Sequence, residues 1–252
     1  MSTPQIPLTD WPGPMTTGVP VGAVLGSTGS LELKTDGQVL TNLHISGRVN
    51  VYAKNVVIRK SRIVAPDASC PIRTFGQARG LLVEDVEIDG RGIAGPAVSP
   101  GDYTLRRVDI HDVVDGPRLG NRTSILDCWI HDLVRSGGGH NDLLQTAGGS
   151  GILVRHNRLD AYRASGDPMS ACLTITSTGG RLVSDLLFED NYCDGGDYTV
   201  SVRADAVGSN IVFRNNTFGR NHRYGVIARP RQLGLSWENT NLWHDSRRQV
   251  VI

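Results

Sequence analysis

The sequence feature that most constrains the fold is a nine-residue phrase that recurs along the chain. Its copies are NVVIRKSRI at 55–63, GLLVEDVEI at 80–88, DYTLRRVDI at 102–110, RTSILDCWI at 122–130, GILVRHNRL at 151–159, DLLFEDNYC at 185–193, NIVFRNNTF at 210–218 and GLSWENTNL at 234–242, with a shorter copy, VLTNLHI, at 39–45. The third apolar residue of each copy is taken as its anchor, which gives Leu40, Ile58, Val83, Leu105, Ile125, Val154, Phe188, Phe213 and Trp237. Neighbouring anchors are 18 to 34 residues apart. This spacing is typical of a solenoid whose loops differ in length.

The phasing inside the phrase indicates how each copy folds. The anchor and the positions three and five residues after it are mostly apolar or small, whereas the first and second residues after it are polar. A strand alternates its side chains every two residues, so this break in alternation requires a tight bend between two strands. We therefore predict a strand, a bend and a second strand in each copy, with successive copies stacked in parallel.

Polar residues at the bend support the stacking. The residues one and two positions after the anchors form two columns, read down the chain as Arg59, Glu84, Arg106, Leu126, Arg155, Glu189, Arg214 and Glu238, and as Lys60, Asp85, Arg107, Asp127, His156 and Asp190. Opposite charges largely alternate in both columns, as expected for neighbours about 4.8 Å apart in adjacent coils. The next column ends in Val108, Cys128, Asn157, Asn191, Asn216 and Thr240, which predicts an internal ladder of asparagine amides.

Composition excludes several classes of function. The chain of 252 residues has a formal net charge of +1 and no apolar run of membrane-spanning length, so we expect no nucleic-acid partner and no membrane insertion. Of the 26 basic residues only Lys34, Lys54 and Lys60 are lysines; this excess of arginine fits either anion recognition or a GC-rich genome. The four cysteines have no metal-like spacing, and no cofactor or metal is predicted.

The repeated phrases resemble right-handed parallel β-helix proteins of the pectate-lyase-like architecture, and most of all the β-helix repeat proteins of actinobacteria and the minor tail proteins of their phages. The resemblance is carried by TGVPVGAVL at 17–25, NVVIRKSRI, SGGGHNDLLQT at 136–146, VRHNRLD at 154–160 and FRNNTFGRNHRYG at 213–225. It implies an all-β, single-stranded right-handed parallel β-helix of about nine coils that handles polysaccharide in a lateral groove. This architecture carries lyases, glycoside hydrolases, tail fibres and adhesins, so the function needs a separate argument from the site.

The predicted domain organisation has two parts. Residues 1–20 contain five prolines and are expected to form an extended leader or attachment segment, followed by the β-helix domain over 21–252. The N-terminus lacks the basic and apolar regions of a secretory signal peptide. No amphipathic capping helix is evident at either end, and open sheet edges need cover. We therefore expect a homo-oligomer, with a trimer implied by the resemblance to tail proteins.

The segment 111–145 is the richest in residues that carry chemistry. Glycoside hydrolysis needs two carboxyl groups roughly 5–10 Å apart, and Asp115 and Asp142, expected on one face one coil apart, are the candidate pair. His140 is the candidate proton carrier. The adjacent Asp-Asp and Gly-His-Gly signatures expected of polygalacturonase-like hydrolases are absent, and no lyase motif is evident. A structural role in turns remains open for both aspartates.

Candidate substrate-binding residues lie near these groups and in a second cluster towards the C-terminus. They are Arg118, Asn141, Gln145, Trp129, Arg203, Arg223 and Tyr224. Arginine pairs with anionic glycan groups, and aromatic rings stack on sugars. A further column, formed by Asp89, His111, His131, Asp160 and Asp194, is expected mainly to stabilise the stack, and the chance that it binds a metal is small because no compact ligand motif is present.

Two functional hypotheses follow. The first is a phage tail protein that contacts the envelope polysaccharide of an actinobacterial host together with other tail proteins, located in the virion, with an extracellular location as the alternative. The second is a polysaccharide-cleaving enzyme, either a glycoside hydrolase or a lyase, that uses Asp115 and Asp142. The two are compatible, because a tail protein can depolymerise its own receptor. Neither the sugar nor the linkage is readable from the sequence.

Overall fold

The computed structural model describes residues 8–67, 69–135, 139–163 and 170–252, which form short strands joined by turns and one 3-10 turn at Thr178–Gly180. The strands in the first part of the chain are β1 (Gly26–Thr28), β2 (Leu31–Leu33), β3 (Val39–Thr41), β4 (Leu43–Ser46), β5 (Val49–Val51), β6 (Val57–Val64), β7 (Ile72–Thr74), β8 (Leu81–Asp89), β9 (Val98–Ser99), β10 (Tyr103–Arg106), β11 (Asp109–His111), β12 (Arg118–Leu119) and β13 (Ser124–Leu126). Those in the second part are β14 (Trp129–Ile130), β15 (Asp142–Thr146), β16 (Gly149–Arg155), β17 (Arg158–Ala161), β18 (Ala171–Ile175), β19 (Val183–Glu189), β20 (Tyr192–Gly195), β21 (Tyr198–Val202), β22 (Gly208–Arg214), β23 (Thr217–Phe218), β24 (Gly225–Ala228), β25 (Ser236–Trp237) and β26 (Leu242–Trp243).

The named strands pair in parallel and wind into a β-helix, which confirms the predicted fold class. The described strands form one sheet of 17 strands and two smaller sheets, β2-β5-β7-β9 and β12-β15-β18-β21-β24. The large sheet holds the two strands on either side of each bend, and the smaller sheets form the third side. Because each strand pairs with the equivalent strand of the next coil, every side of the solenoid is a parallel stack.

The register confirms the repeat alignment. Each anchor residue is the Cα partner of the next anchor along the chain, from Leu40 paired with Ile58 to Phe213 paired with Trp237. The anchors form the centre of the core, where Ile58, Val154 and Phe188 are fully buried. The anchor rings of Phe188 and Phe213 pack with their centroids 5.2 Å apart.

The predicted bend is made by one left-handed residue in each coil. The residues two positions after the first eight anchors have φ between 49° and 56°, and they are Asn42, Lys60, Asp85, Arg107, Asp127, His156, Asp190 and Asn215. A left-handed residue reverses the chain locally, so that both flanking strands turn apolar side chains inward. Asn and Asp tolerate this conformation best, whereas the long side chains in the same column adopt it at some steric cost.

The asparagine ladder is present and is one coil longer than predicted. The Oδ1 atom of Asn191 accepts hydrogen bonds from both the backbone N–H and the Nδ2 group of Asn157, at 3.0 and 2.9 Å. The same pattern links Asn191 to Asn216 and Asn216 to Asn241. The last member is therefore Asn241 and not Thr240, because the final coil holds one extra residue in its bend. All four side chains are fully buried.

Charge pairs link neighbouring coils in part of the predicted columns. The Nε atom of Arg106 lies 2.7 Å from Glu84, and the Nε atom of Arg214 lies 2.8 Å from Glu189. In the second column Arg107 binds Asp85 at 2.6 Å. Because these guanidinium groups stay partly exposed, each pair stabilises the fold by only about 0.2–1 kcal/mol and its main effect is on register.

The described part of the N-terminal segment lies along the side of the solenoid and crosses several coils. The Trp11 ring packs against Tyr192 and His244 with centroid distances of 5.4 and 6.1 Å, and the carbonyl oxygen of Asp10 lies 2.9 Å from Nε2 of His156. Further along, the backbone N–H of Gly18 donates to the carbonyl oxygen of Arg107 at 3.0 Å. Residues 1–7 of the predicted leader lie outside the described residues, and the boundary at residue 20 stays a prediction.

The last coil is covered by the chain that follows it. The Trp237 ring packs on Phe213 and Phe218, and its Nε1 donates to the carbonyl oxygen of Val250, which is fully buried. All four cysteines are free thiols, and three of them are buried. Within the described ranges, no helix is long and apolar enough to cross a membrane.

Candidate functional site

The side formed by β12, β15, β18, β21 and β24 carries the candidate catalytic residues. Asp142 begins β15, where its Cα partner in the following coil is Ala171. In the preceding coil, the backbone N–H of Gly116 donates to the carbonyl oxygen of Asp142 at 2.9 Å. A Cβ atom at position 116 would overlap the backbone of Leu143, so glycine allows the two coils to approach closely here. Asp142 is therefore held on a rigid strand.

The Asp142 carboxyl group has an unusual environment. The residue is only 4% exposed, and burial raises the pKa of its carboxyl group to about 6. The hydroxyl of Thr174 donates to Oδ1 of Asp142 at 2.8 Å and opposes this rise in pKa, whereas the neighbouring charge of Asp115 adds to it. A carboxyl group with a pKa near 6 is protonated in weakly acidic solution, and it can act there as a proton donor.

Asp115 lies directly beside Asp142 in the preceding coil. Its Oδ1 atom accepts the backbone N–H of Asp142 at 3.1 Å, and its Oδ2 atom accepts Nη2 of Arg118 at 2.8 Å. The Asp115 side chain is 17% exposed. Two clefts lie on this side of the solenoid and are described below, and Asp115 lines neither of them within the described part of the chain. Its carboxylate therefore contacts Arg118 and the backbone of Asp142 and does not face either cleft.

Two adjoining clefts run along this side of the solenoid. The smaller has a volume of ≈ 230 Å³ and is lined by Asp142, His140 and Arg203. Hydroxyl side chains from β18, from the turn after β18 and from β21 complete its lining. The larger has a volume of ≈ 760 Å³ and is lined by Arg118 and residues of five successive coils. Gln145 lines both clefts. The two clefts therefore meet at Gln145, and we call them together the Asp142 groove.

Five of the predicted site residues meet in the Asp142 groove. They are Asp142, His140, Arg118, Gln145 and Arg203. His140 is exposed at its rim, and its charge opposes the rise in the Asp142 pKa. Residues 136–138 of the predicted motif around His140 lie outside the described residues. Gln145 and Thr174 are Cα partners on neighbouring strands, so their polar side chains lie side by side on the groove floor.

Asn141 has a bracing role. It is 1% exposed, and its Nδ2 group donates to the carbonyl oxygens of Val114 and Val134 at 2.6 and 2.8 Å. These bonds hold the chain on either side of the loop that leads to Asp142. The side chain that sequence reasoning assigned to substrate binding therefore points to the backbone of the preceding coil.

Arg223 and Tyr224 lie on the same side of the solenoid but further along its axis. Arg223 pairs with Asp197 at 3.1 Å, and the Tyr224 ring packs against Tyr198 with a centroid distance of 5.7 Å. Tyr224 is 64% exposed. Neither residue lines the Asp142 groove as the described residues define it.

Trp129 lies on a different side of the solenoid from Asp142. It belongs to β14 in the large sheet, where its Nε1 donates to Asp160 at 2.9 Å and its ring stacks on His131. The structure therefore does not bring Trp129 into the Asp142 groove. The outward position predicted for it placed the side chain outside the core but left open which side it faced.

The column of histidines forms a network of hydrogen bonds. His111 lies 2.8 Å from Asp112 and 3.2 Å from Glu87, and its imidazole ring stacks on that of His131 at 5.6 Å. The hydrogen bond to Glu87 raises the pKa of His111 to about 9, against the opposing effect of burial. Among the described residues, Asp89, His111 and Asp112 have potential metal-ligand atoms within 4.8 Å of one another. Both ring nitrogens of His111 are already engaged by carboxylates, which fits a stabilising network.

Sequence reasoning missed the hydroxyl side chains that line the smaller cleft. Strand β18 and the residues on either side of it contribute Ser170, Thr174, Thr176 and Thr178, and β21 contributes Ser201. Their signal is visible in the segments SACLTITST at 170–178 and YTVSVR at 198–203, where polar residues alternate with apolar ones. The repeat search aligned only the phrase around the bend, so these strands on the third side were not compared.

The comparisons with known proteins bear on the fold. No protein-family model matches the chain, and no curated protein matches it. Among solved structures, the chain is similar to the catalytic unit of a thermostable GH87 α-1,3-glucanase from Streptomyces thermodiastaticus, with 14% identity and a TM-score of 0.50. The match covers 86% of this chain and 49% of the glucanase chain, so the protein spans about half the length of that structure. The fold and this similarity together define a parallel β-helix protein.

Proposed function

We propose that this protein binds polysaccharide along the Asp142 groove and hydrolyses a glycosidic bond there. The observation that carries the proposal is the buried Asp142 carboxyl group, whose pKa of about 6 suits a general acid and which lies in an open groove. Groups with a strongly shifted pKa in a cleft are typical of catalytic sites. The groove continues past this residue in both directions, as a polymeric substrate requires.

In the proposed reaction, protonated Asp142 donates its proton to the glycosidic oxygen as the bond to the anomeric carbon breaks. A water molecule supplies the hydroxyl group to that carbon. His140 takes the place of the second carboxyl group of the usual pair and accepts the proton that the water loses. Asp115 is a positioning residue: its carboxylate holds Arg118 at the groove and favours the protonated form of Asp142. Gln145 and Arg203 bind the sugar on either side of the scissile bond.

The similarity to a glucanase supports polysaccharide as the class of substrate. The solved structure is described as the catalytic unit of an α-1,3-glucanase. At 14% identity this likeness concerns the fold. We therefore include α-1,3-glucan among the substrates to be tested.

The test is product analysis after incubation with cell-wall polysaccharides of mycobacteria and related actinobacteria and with α-1,3-glucan. We expect Asp142→Asn to lower the rate of cleavage by about 10²–10⁴-fold, because it removes the general acid. Asp185→Asn is the matched control: Asp185 binds Ser150 and Asn210 on the large sheet, and its φ of 51° suits asparagine. Cleavage by the wild type that survives unchanged in Asp142→Asn would refute the assignment.

A second proposed role is adsorption of a phage to its host. The resemblance to actinobacteriophage minor tail proteins and the exposed Tyr224 on the same side of the solenoid as the groove support a virion protein that contacts envelope polysaccharide, with or without cleavage. An extracellular enzyme is the alternative. We propose a homotrimer that docks on other tail proteins, and light scattering should then give three times the 27.2 kDa of one chain. Purified protein should compete with phage for adsorption to actinobacterial cells, and an absence of competition would contradict this role.

A further inference from the structure

We propose that a second sugar-binding site lies on the large sheet, in a cleft formed by β14, β17 and β20 together with the turn after β23. The cleft has a volume of ≈ 350 Å³, and its main lining residues are Trp129, Asp160, Tyr162, Tyr192, Asp194 and Asn221. We call it the Asp194 cleft. Asp142 and the other groove residues belong to a different side of the solenoid, so a polysaccharide in the Asp142 groove does not fill this cleft.

The first observation is a pair of carboxylates in neighbouring coils that face the same cleft. Asp160 and Asp194 are Cα partners on adjacent strands, about 4.8 Å apart in the direction of stacking. Elsewhere in the same column, His111 and His131 stand between Asp89 and Asp160, and each of them binds a carboxylate of the neighbouring column, Glu87 or Asp109. Two carboxylates placed directly opposite each other are destabilising. Asp160 and Asp194 offset this cost through their own hydrogen bonds and lie together at one cleft, where a few convergent polar groups are typical of a ligand site.

The second observation is that each carboxylate is individually supported. Asp160 accepts a hydrogen bond from Nε1 of Trp129 at 2.9 Å and lies 2.8 Å from Nε of Arg158. Asp194 accepts the backbone N–H of Asn221 on Oδ1 at 2.9 Å and the Nδ2 group of the same residue on Oδ2 at 2.7 Å. A Cβ atom at Gly219 would overlap the Asp194 carboxylate, so glycine leaves the space that this side chain occupies.

The chemistry of the cleft matches the hydroxyl groups and apolar ring face of a sugar. The carboxylates accept hydrogen bonds from vicinal hydroxyls, and the amide of Asn221 and the guanidinium of Arg158 donate them. Tyr162 is 38% exposed at the cleft and offers a ring for the C–H face of a pyranose or furanose. Burial raises the pKa of Asp160, which agrees with a desolvated binding group. A few convergent polar groups beside aromatic walls are the usual composition of a small-ligand site.

A metal ion fits this cleft less well than a sugar. In the described part of the chain, the group of three potential metal ligands within mutual reach lies at Asp89, His111 and Asp112 and does not include Asp160 or Asp194. Two carboxylates with a neighbouring guanidinium and an amide favour a neutral polyol over a cation.

The inference shares only its ligand class with the proposed function and is independent of cleavage at Asp142. It gives the protein two sugar contacts on different sides of the solenoid. Such a protein can hold one glycan chain in the Asp142 groove while the Asp194 cleft retains a neighbouring chain. Two sites that bind neighbouring chains of the same polysaccharide surface give the protein a higher avidity for that surface than either site gives alone.

The test measures sugar binding by saturation-transfer NMR and calorimetry in the Asp142→Asn protein, so that cleavage plays no part. The probes are α-1,3-linked glucose oligosaccharides and free glucose, galactose and arabinose. We expect Tyr162→Ala and Asn221→Ala each to weaken binding at the Asp194 cleft by about tenfold, which corresponds to the loss of one ring contact or one polar anchor. The saturation-transfer signals of the sugar protons should weaken accordingly in both variants.

The matched control is Tyr52→Ala. Tyr52 is exposed to the same fraction, 38%, and packs on Phe75 on another side of the solenoid, so its removal should leave binding at the Asp194 cleft unchanged. Equal binding by Tyr162→Ala and Tyr52→Ala, or binding of none of the probes up to about 10 mM, overturns the inference. Either result leaves the cleavage assay with Asp142 as a separate question.

Discussion

The backbone N–H of Asp142 donates a hydrogen bond to Oδ1 of Asp115 across one coil of the β-helix, at 3.1 Å. This bond places the side chains of two aspartates from consecutive coils beside each other. The Asp115 carboxylate pairs with Arg118, whereas the Asp142 carboxyl group is buried beside Thr174. Burial and the neighbouring Asp115 charge therefore favour the neutral form of the Asp142 carboxyl group.

This relationship predicts how cleavage depends on pH. Because Asp142 must be protonated to donate its proton, the rate should fall as the pH rises through about 6. The charge of Arg118 lowers the pKa of Asp142, so Arg118→Met should move this alkaline limb to higher pH. Arg48→Met, an exposed arginine in an early coil, is the control and should leave the limb in place. A limb at the same pH in both variants would argue against Asp142 as the titrating acid.

Asp142→Asn should also stabilise the protein at neutral pH. The folded-state pKa of about 6 lies above the ordinary aspartate value of about 3.9, so the folded state binds the proton more tightly than the unfolded state. The free energy of unfolding therefore falls as the pH rises between these values, and the full penalty applies above pH 6. Removing it should raise the free energy of unfolding at pH 7.5 by about 1–3 kcal/mol, and by less at pH 4. Chemical denaturation at the two pH values measures this, and a larger gain at pH 4 would contradict it.

The charged form of His111 should stabilise the folded protein, whereas the charged form of Asp142 destabilises it. Its folded-state pKa of about 9 lies above the ordinary histidine value of about 6.5, because Glu87 and Asp112 bind the charged ring. The contribution is fully present below pH 6.5 and is lost as the pH rises through 9. Its full size is about 2–3 kcal/mol. His111→Gln should therefore lower the free energy of unfolding at pH 6 and have much less effect at pH 9.5, whereas an equal loss at both values would show that packing alone is responsible.

Asn191→Ala should be among the most destabilising single substitutions. It removes an amide that binds the backbone and side chain of Asn157, the carbonyl oxygen of Val154 and the side chain of Asn216, all of which are buried. Leaving such groups without partners should cost about 3–5 kcal/mol. Asn50→Ala is the control, because Asn50 binds only the exposed Glu32 in a coil near the other end. Thermal unfolding of the two variants should separate them, and similar melting temperatures would refute a structural role for the ladder.

Much of the fold was predictable because the core repeats. The anchors, the bend and the stacking of Asn157, Asn191 and Asn216 all follow from side-chain periodicity, which depends on local chain geometry and on the identity of neighbouring coils. The exact last member of the ladder was not predictable, since an extra residue in the final bend shifts the contact from Thr240 to Asn241. A one-residue shift is invisible to a search that aligns phrases of equal length.

The site was predictable only in part. Asp142, His140, Gln145 and Arg118 share a segment, so their spacing along one face was open to inference, and the structure places them in one groove. Trp129 lies in the same segment but on another side of the solenoid, because the angle between sides depends on how many residues each turn holds. Asn141 turned towards the backbone because Val114 and Val134 expose carbonyl oxygens that need donors.

The amino-acid sequence by itself determined the repeat, the parallel stack, the polar bend and the small set of groups capable of acid–base chemistry, because these depend on short-range alternation and on residue type. Only the tertiary structure decided that the Asp142 carboxyl group is buried and that its pKa is raised. It also decided that Asp115 pairs with Arg118 from outside the groove. It also decided that Asp160 and Asp194 face each other in a second cleft. Those properties depend on the packing of coils that are 27 to 34 residues apart in the chain, which sets the distances, the solvent exposure and the local electrostatic environment.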